Sequence, residues 1–422
     1  MSELHWFEGF GIELEYMLVD RETLDVHPAA DTVLAELWQS SQDTDSDTDW
    51  NAHPSDFEFR ETTWSNELAL HVLELKTTQP ATAFDRVASE FEASVAAVQS
   101  TLKSQGIRLL PTAMHPWMKP AKQTQLWPHE YHEIYNTYHR IFNCHRHGWS
   151  NVQSMHLNLP FRGNDEFAGL HAAVRLLLPL LPAIAASSPI VEGVSNGCHD
   201  NRLRFYVHHC DTVPSMMGDV IPEPIFDRSS YQTQILDPIA DDIALLDPLS
   251  VMNSDFLNAR GAIARFDRGS IEIRLLDVQE TPGVDIAIAG LVTHVAKRLA
   301  EQTWSSRWQQ QLVSCRRLGT ILDDTTVSAE ATIVSDADFL VHFGITQSSC
   351  TAAEIWQHLI DDAYRFGSGL DGVAAPLEII QQRGTLSTRI LQSLGSKFTN
   401  ADLHGVYEEL ADCLERNEIY QP

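Results

Sequence analysis

The stretch SIEIRLLD, residues 270–277, constrains the fold of this chain more than any other. It reads as a strand, and strand side chains alternate at period 2. Glu272 and Arg274 therefore share one face, and Ile271, Ile273 and Leu275 share the other. A carboxylate and a guanidinium on a sheet surface that faces protein need each other, a metal or an anionic ligand, because burying an unpaired charge is very costly. The same oddity occurs near the N-terminus. In GIELEY, Glu13 and Glu15 share a face, with Ile12, Leu14 and Tyr16 opposite. Two carboxylates on one face repel each other unless a cation lies between them. Together the segments predict a sheet whose concave face holds divalent metal and phosphate.

The surroundings of these strands narrow the function. The chain has 422 residues, 43% of them hydrophobic, which allows a large core in one elaborated domain or two fused ones. Its formal net charge of −29 disfavours nucleic acid and anionic membranes as partners. Against that background a local cluster of arginines gains meaning. Six scattered cysteines without a CxxC fit a reducing cytoplasm rather than a disulfide scaffold. The start MSELHWFEGFG has neither the basic nor the apolar part of a signal peptide. The most apolar run, Leu176 to Ala186, is shorter than the about 20 residues of a membrane span and contains Pro179 and Pro182, so it reads as a buried, broken helix.

Along the chain, strands are expected at 7–19, 67–77, 107–113, 152–161 and 270–277, and helices at 82–103, 129–142 and 166–187. From Val284 the pattern is helical, at 284–303, 352–365, 375–393 and 401–416. The fold class is therefore α+β: a largely antiparallel sheet carrying the site, with helices behind and after it. Residues 1–282 form the catalytic sheet-containing region and 283–422 a helical C-terminal region. The run SQDTDSDTD at 41–49 resembles a calcium loop in its DxDxD spacing. Thr48 replaces the required glycine and Pro54 the bidentate glutamate, so it reads as a solvated loop. Residues 211–235 lack periodicity and read as a long loop, a candidate lid.

Four strand segments carry polar residues where apolar ones are expected. The first offers Glu13 and Glu15, the second Glu67, His71 and Glu74, the third Gln153, His156 and Asn158, the fourth Glu272 and Arg274. Glu67 and Glu74 are an odd number of residues apart, so either a bulge intervenes or Glu67 sits in the loop before the strand. Several carboxylates with one imidazole suit Mg²⁺ or Mn²⁺ better than tetrahedral zinc. Arg260, Arg265 and Arg274 are phosphate candidates, since guanidinium forks match phosphate oxygens, whereas Arg268 in a DRG turn reads as exposed. Arg202 and Arg204 could hold a substrate carboxylate or form salt bridges. No P-loop, GxGxxG or GxSxG occurs, so any use of ATP relies on metal and arginine. A metal-dependent hydrolase or a non-catalytic nucleotide-binding protein could use the same residue types.

GIELEY, ELALHVLELKT, TAMHPW, QSMHLNLPF, the SSP turn and IEIRLLDVQ, in this order and spacing, resemble bacterial glutamate–cysteine ligases of the carboxylate–amine ligase group, from about residue 9 to residue 282. The resemblance implies a glutamine-synthetase-like sheet and ATP-dependent amide formation through an acyl phosphate. It implies that Glu13, Glu15, Glu67, Glu74, His156 and Glu272 ligate Mg²⁺, and that Arg274 meets the γ-phosphoryl group. Asn158 and Gln153 would face the acceptor carboxylate. The implied partners are small carboxylates and amines, glutamate and cysteine by default, with room for a homo-oligomer.

Overall fold

The two charged stretches flank one common strand. The computed structural model describes residues 4–41, 53–252, 257–366 and 375–422; the acidic run from residue 42 lies outside them. Strands β1 (Gly11–Asp20), β2 (Asp56–Phe59), β3 (Thr62–Asn66), β4 (Val72–Thr77), β5 (Ile107–Leu110) and β6 (Ser154–Pro160) belong to the main sheet. Two short hairpin strands follow, β7 (Ile190–Val191) and β8 (Val194–Ser195). Then β9 (Ala262–Arg265) and β10 (Ser270–Asp277) complete the main sheet, and β11 (Ile333–Val334) pairs with β12 (Cys350–Thr351). The main order is β2-β3-β4-β1-β6-β10-β9, with β5 also on β1, and every pairing is antiparallel. The fold is thus α+β, with helices packed on an antiparallel sheet.

Alternation in β1 sets the layers. Ile12, Leu14, Tyr16 and Leu18 enter the main core with Leu73, Leu75, Met155, Leu157, Ile271 and Ile273. That core is closed by the helices Phe84–Ser104, Gly163–Leu177 and Pro282–Ala300, whose apolar residues belong to the same cluster. The other face of β1 changes character along its length. It carries Glu13 and Glu15 first, then Met17 and Val19, which pack with Leu110, Leu386, Ile390, Tyr407 and Leu410. The last two helices, Leu386–Leu394 and Asn400–Arg416, therefore cover the apolar end of the face whose other end is charged. A buried ion pair, Arg389 to Glu280 just past β10, fastens this tail to the sheet.

Some expectations need correction. The strand expected at 67–77 begins only at Val72, and the hairpin β2–β3 before it was not anticipated. The apolar run breaks as its prolines predict: the helix ends at Leu177, a single turn of 3₁₀ helix follows, and a short helix restarts at Pro182. The helix expected over 375–393 is two helices, because Gly384 takes φ +87° and Thr385 caps the second. The segment 211–235 is not an unstructured loop. It contains the helices Pro214–Met217 and Arg228–Tyr231 and buries Met216, Met217, Ile221, Ile225 and Tyr231 in the core. Its prolines and serines hid that apolar content. Among the described residues no helix is long and apolar enough to cross a membrane.

Candidate active site

Strand register lines the charged side chains up in rows. Ser65 pairs with Glu74, and Glu74 with Glu15. One step along, Thr63 pairs with Lys76, Lys76 with Glu13, and Glu13 with His156. A further step brings Gly11 opposite Asn158, and Asn158 opposite Glu272. Because partners in adjacent strands point to the same side, Glu13, Glu15, Glu74, His156, Asn158 and Glu272 converge on one face.

Contacts across the rows are direct. Asn158 donates from Nδ2 to Glu13 Oε1 at 3.0 Å, and His156 Nδ1 lies 3.1 Å from Glu13 Oε2. His156 Nε2 meets Ser154 Oγ at 2.9 Å, and Ser154 donates its backbone N–H to Glu15 Oε2 at 2.8 Å. Arg274 Nε lies 3.1 Å from Glu272 Oε1, and Arg265 Nη1 lies 3.9 Å from Glu272 Oε2. Lys76 donates to Glu74 Oε2 at 2.5 Å and to Ser65 Oγ at 2.8 Å. Lys76, Ser65 and Ser154 escaped the sequence reading. Lys76 was findable, since it lies two residues after Glu74 in the same strand.

These neighbours shape the titration of the site. Burial pushes the Glu13 carboxyl up, but the His156 hydrogen bond and the charges of His156 and Lys76 outweigh it and hold the group at about 2. Burial raises Glu74, and the Glu13 charge adds to it against the pull of Lys76. Burial also raises Glu67 well above the carboxylate range, with the charges of Glu74 and Glu15 next. For His156, burial lowers the imidazole, but the hydrogen bond to Glu13 reverses the sign and the net shift is upward. Glu67 stands in the connection between β3 and β4, which resolves its odd spacing from Glu74. Gln153 precedes β6, is fully buried, and neither polar atom of its side chain has a hydrogen-bond partner.

Three arginines stand in other settings. Arg260, expected at phosphate, is buried and forks onto both oxygens of Glu223 at 2.6 and 2.7 Å, with further bonds to the Ser215 and Met216 carbonyls. Of the two settings open to Arg202, a substrate carboxylate or a salt bridge, it takes the salt bridge, though a buried one: it lies 2.6 Å from Asp277 and donates to the Arg274 carbonyl at 3.2 Å. Asp277 also accepts from Ser187 and Ser188 of the SSP turn. Arg202 thus fixes the backbone beneath Arg274. Arg204 is exposed on the short helix Asn201–Tyr206.

The face offers carboxylate oxygens from Glu13, Glu15, Glu74 and Glu272 with the His156 imidazole, a hard donor set that fits Mg²⁺ or Mn²⁺. Lys76 and Arg274 now hold two of these carboxylates, so such an ion would have to compete with them.

The family Glutamate-cysteine ligase family 2 matches residues 9–319, and this chain belongs to it. An uncharacterized protein of Archaeoglobus fulgidus is 31% identical over 359 residues, 84% of this chain and 87% of that one. Two solved structures share the fold at 12% identity. A glutamate–cysteine ligase of Francisella tularensis, solved with AMP, has a TM-score of 0.60 over 98% of this chain and 90% of its own. A bifunctional glutathione synthetase of Pasteurella multocida has a TM-score of 0.62 over 97% of this chain and 53% of its own. Fold and family together place the chain in the carboxylate–amine ligase superfamily.

Proposed function

We propose that this chain is an ATP-dependent carboxylate–amine ligase that forms an amide through an acyl phosphate, with glutamate the first carboxylate and cysteine the first amine to test. The observation that supports the reading most strongly is the meeting of Glu13, Glu15, Glu74, His156 and Glu272 with Arg265 and Arg274 on one sheet face. Mg²⁺ or Mn²⁺, held by Glu13, Glu15, Glu67, Glu74, His156 and Glu272, would neutralise phosphate charge when bound. Arg274 and Arg265 would bind the oxygens of the transferring group, where charge redistributes in the transition state. A carboxylate oxygen attacks the γ-phosphorus and ADP leaves. The neutral amine then attacks the acyl carbon, and phosphate leaves as the nitrogen gives up a proton. Asn158 and Gln153 would orient the carboxylate. Water must be kept out, because it would hydrolyse the acyl phosphate. Dependence on ATP makes the cytoplasm the proposed setting.

A screen of ATP consumption over pairs of amino acids, read by product mass, tests this reading. The expected result is ADP release that needs both partners, with a product weighing their sum less one water. Amide hydrolysis without ATP would instead make the protein a metal-dependent hydrolase. Nucleotide binding without turnover for any pair would make it a non-catalytic relative.

A further inference from the structure

A second cluster of donors lies off the sheet. Among the described residues, Asp31, His53 and His129 form the group of three whose ligand atoms all fall within 4.8 Å of one another. Asp31 sits in the first turn of the helix Ala30–Ser41 and His53 just before β2, while His129 precedes the helix His132–Phe142. None of the three belongs to a motif, and they are far apart in sequence.

Two of the three donors already stand at coordination spacing. His129 Nε2 lies 3.1 Å from Asp31 Oδ2. Metal–ligand bonds of about 2.0–2.2 Å place neighbouring donors at roughly this separation. Asp31 Oδ1 accepts the Thr32 N–H at 2.8 Å, which fixes the carboxylate and presents Oδ2. The His53 ring lies face to face on His129, centroids 4.0 Å apart and planes 8° apart, so it must swing off that stack to aim a nitrogen at an ion in the His129 ring plane, a turn that its exposed position allows. Trp127 packs edge-on against His129 at 5.1 Å and limits its rotation. Ser55 donates to Glu130 at 3.1 Å, an independent contact that holds the His53 segment against the His129 segment. The Asp31 and His129 side chains are 18% and 25% exposed and His53 is open to solvent, so water can complete the coordination.

From this arrangement we infer a transition-metal site formed by Asp31, His53 and His129. Two imidazoles and one carboxylate suit Zn²⁺, Co²⁺ or Ni²⁺ rather than Mg²⁺, which prefers oxygen ligands. The bound ion clasps three chain segments together, and the net charge of −29 favours its approach. The site shares no ligand with the sheet face and does not depend on the ligase reading.

The test uses the full chain, stripped of metal by chelation and free of nucleotide. Calorimetric titration with Zn²⁺ should give, beside any ion taken by the sheet face, one ion per chain that His53→Ala loses, and Co²⁺ should give the visible absorption of a low-symmetry complex. His53→Ala and His129→Ala should each weaken that site by more than about tenfold, an effect that even outer-shell substitutions reach. Zn²⁺ should also raise the unfolding temperature of the wild type but not of His53→Ala. His53 is exposed, so that variant keeps the fold. Glu13→Gln should keep the Zn²⁺ site that His53→Ala loses, whatever it does to binding on the sheet face. Identical isotherms for wild type and His53→Ala, or no Zn²⁺ binding by the wild type, would overturn the inference.

Discussion

Arg274 shares a face with Glu272 and lies 3.1 Å from its carboxylate, yet its buried Nε makes no hydrogen bond. The pair is close without being satisfied, as expected of a guanidinium that also serves an anionic ligand. Losing such a donor lowers kcat by about 100- to 1000-fold. Arg274→Lys keeps the charge but not the planar fork, so it should fail nearly as badly as Arg274→Ala, with a modest change in the KM for ATP. A variant that keeps its turnover and only raises KM would make Arg274 a binding contact. A different residue governs the response to acid. His171 is fully buried, and burial, with the nearby Arg175 charge, holds its imidazole at about 3. Below pH 6.5 the unfolded chain takes up a proton that the folded chain refuses until about pH 3. This contribution is therefore complete above pH 6.5 and is lost as pH falls toward 3. His171→Phe removes it, so the unfolding free energy of the variant relative to wild type should rise by on the order of 4 kcal/mol between pH 6.5 and 3. The lost bond to the Ile225 carbonyl offsets the comparison equally at every pH. A difference that stays flat with pH would show that His171 titrates normally.

At the scale of the strand, alternation made the site legible, and its failure explains what was missed. Glu13, Glu15, Glu74, His156 and Glu272 could be placed on one face because period 2 holds through β1, β4 and the start of β10. It breaks after Ile273, where the register of β10 on β6 slips by one residue. Leu275 and Leu276 are consequently both buried, and Asp277 comes opposite Ser154. Such bulges re-aim side chains beside active sites. Local sequence does not announce a slip that depends on neighbouring strands. The same holds for Arg260 and Arg202, whose partners Glu223 and Asp277 are remote in sequence. Gly261 makes the bulge feasible. A Cβ there would lie 2.7–3.0 Å from the Leu275 side chain, and its carbonyl accepts the Arg274 N–H at 3.0 Å. Gly261→Ala should cost about 1–3 kcal/mol of stability by overpacking and should also lower turnover by displacing Arg274. An unchanged unfolding midpoint, read by denaturant titration, would mean that the bulge yields freely.

For the whole molecule the controlling quantity is charge. Fifty-eight acidic side chains against 29 basic ones leave the surface in mutual repulsion. Ion pairs such as Arg416 with Glu409 and Glu418 relieve it locally, but pairs this exposed contribute little, because water and salt screen them. Added KCl screens repulsion and pairs alike, and repulsion is the larger sum. The thermal midpoint should therefore rise from about 0.1 M to about 1 M KCl, where the screening length falls from about 10 to about 3 Å. A falling midpoint would show that the surface pairs dominate. The helical tail was legible as helices, but its position was not. Its apolar stripes do not reveal that they cover Met17 and Val19, on the face that also carries Glu13 and Glu15. The central claim is that this face activates a carboxylate as an acyl phosphate. Its most direct measurement follows heavy oxygen from a labelled glutamate carboxylate during turnover with ATP and an amine. The account predicts one labelled oxygen in the released phosphate for each amide formed; amide formation with unlabelled phosphate would contradict it.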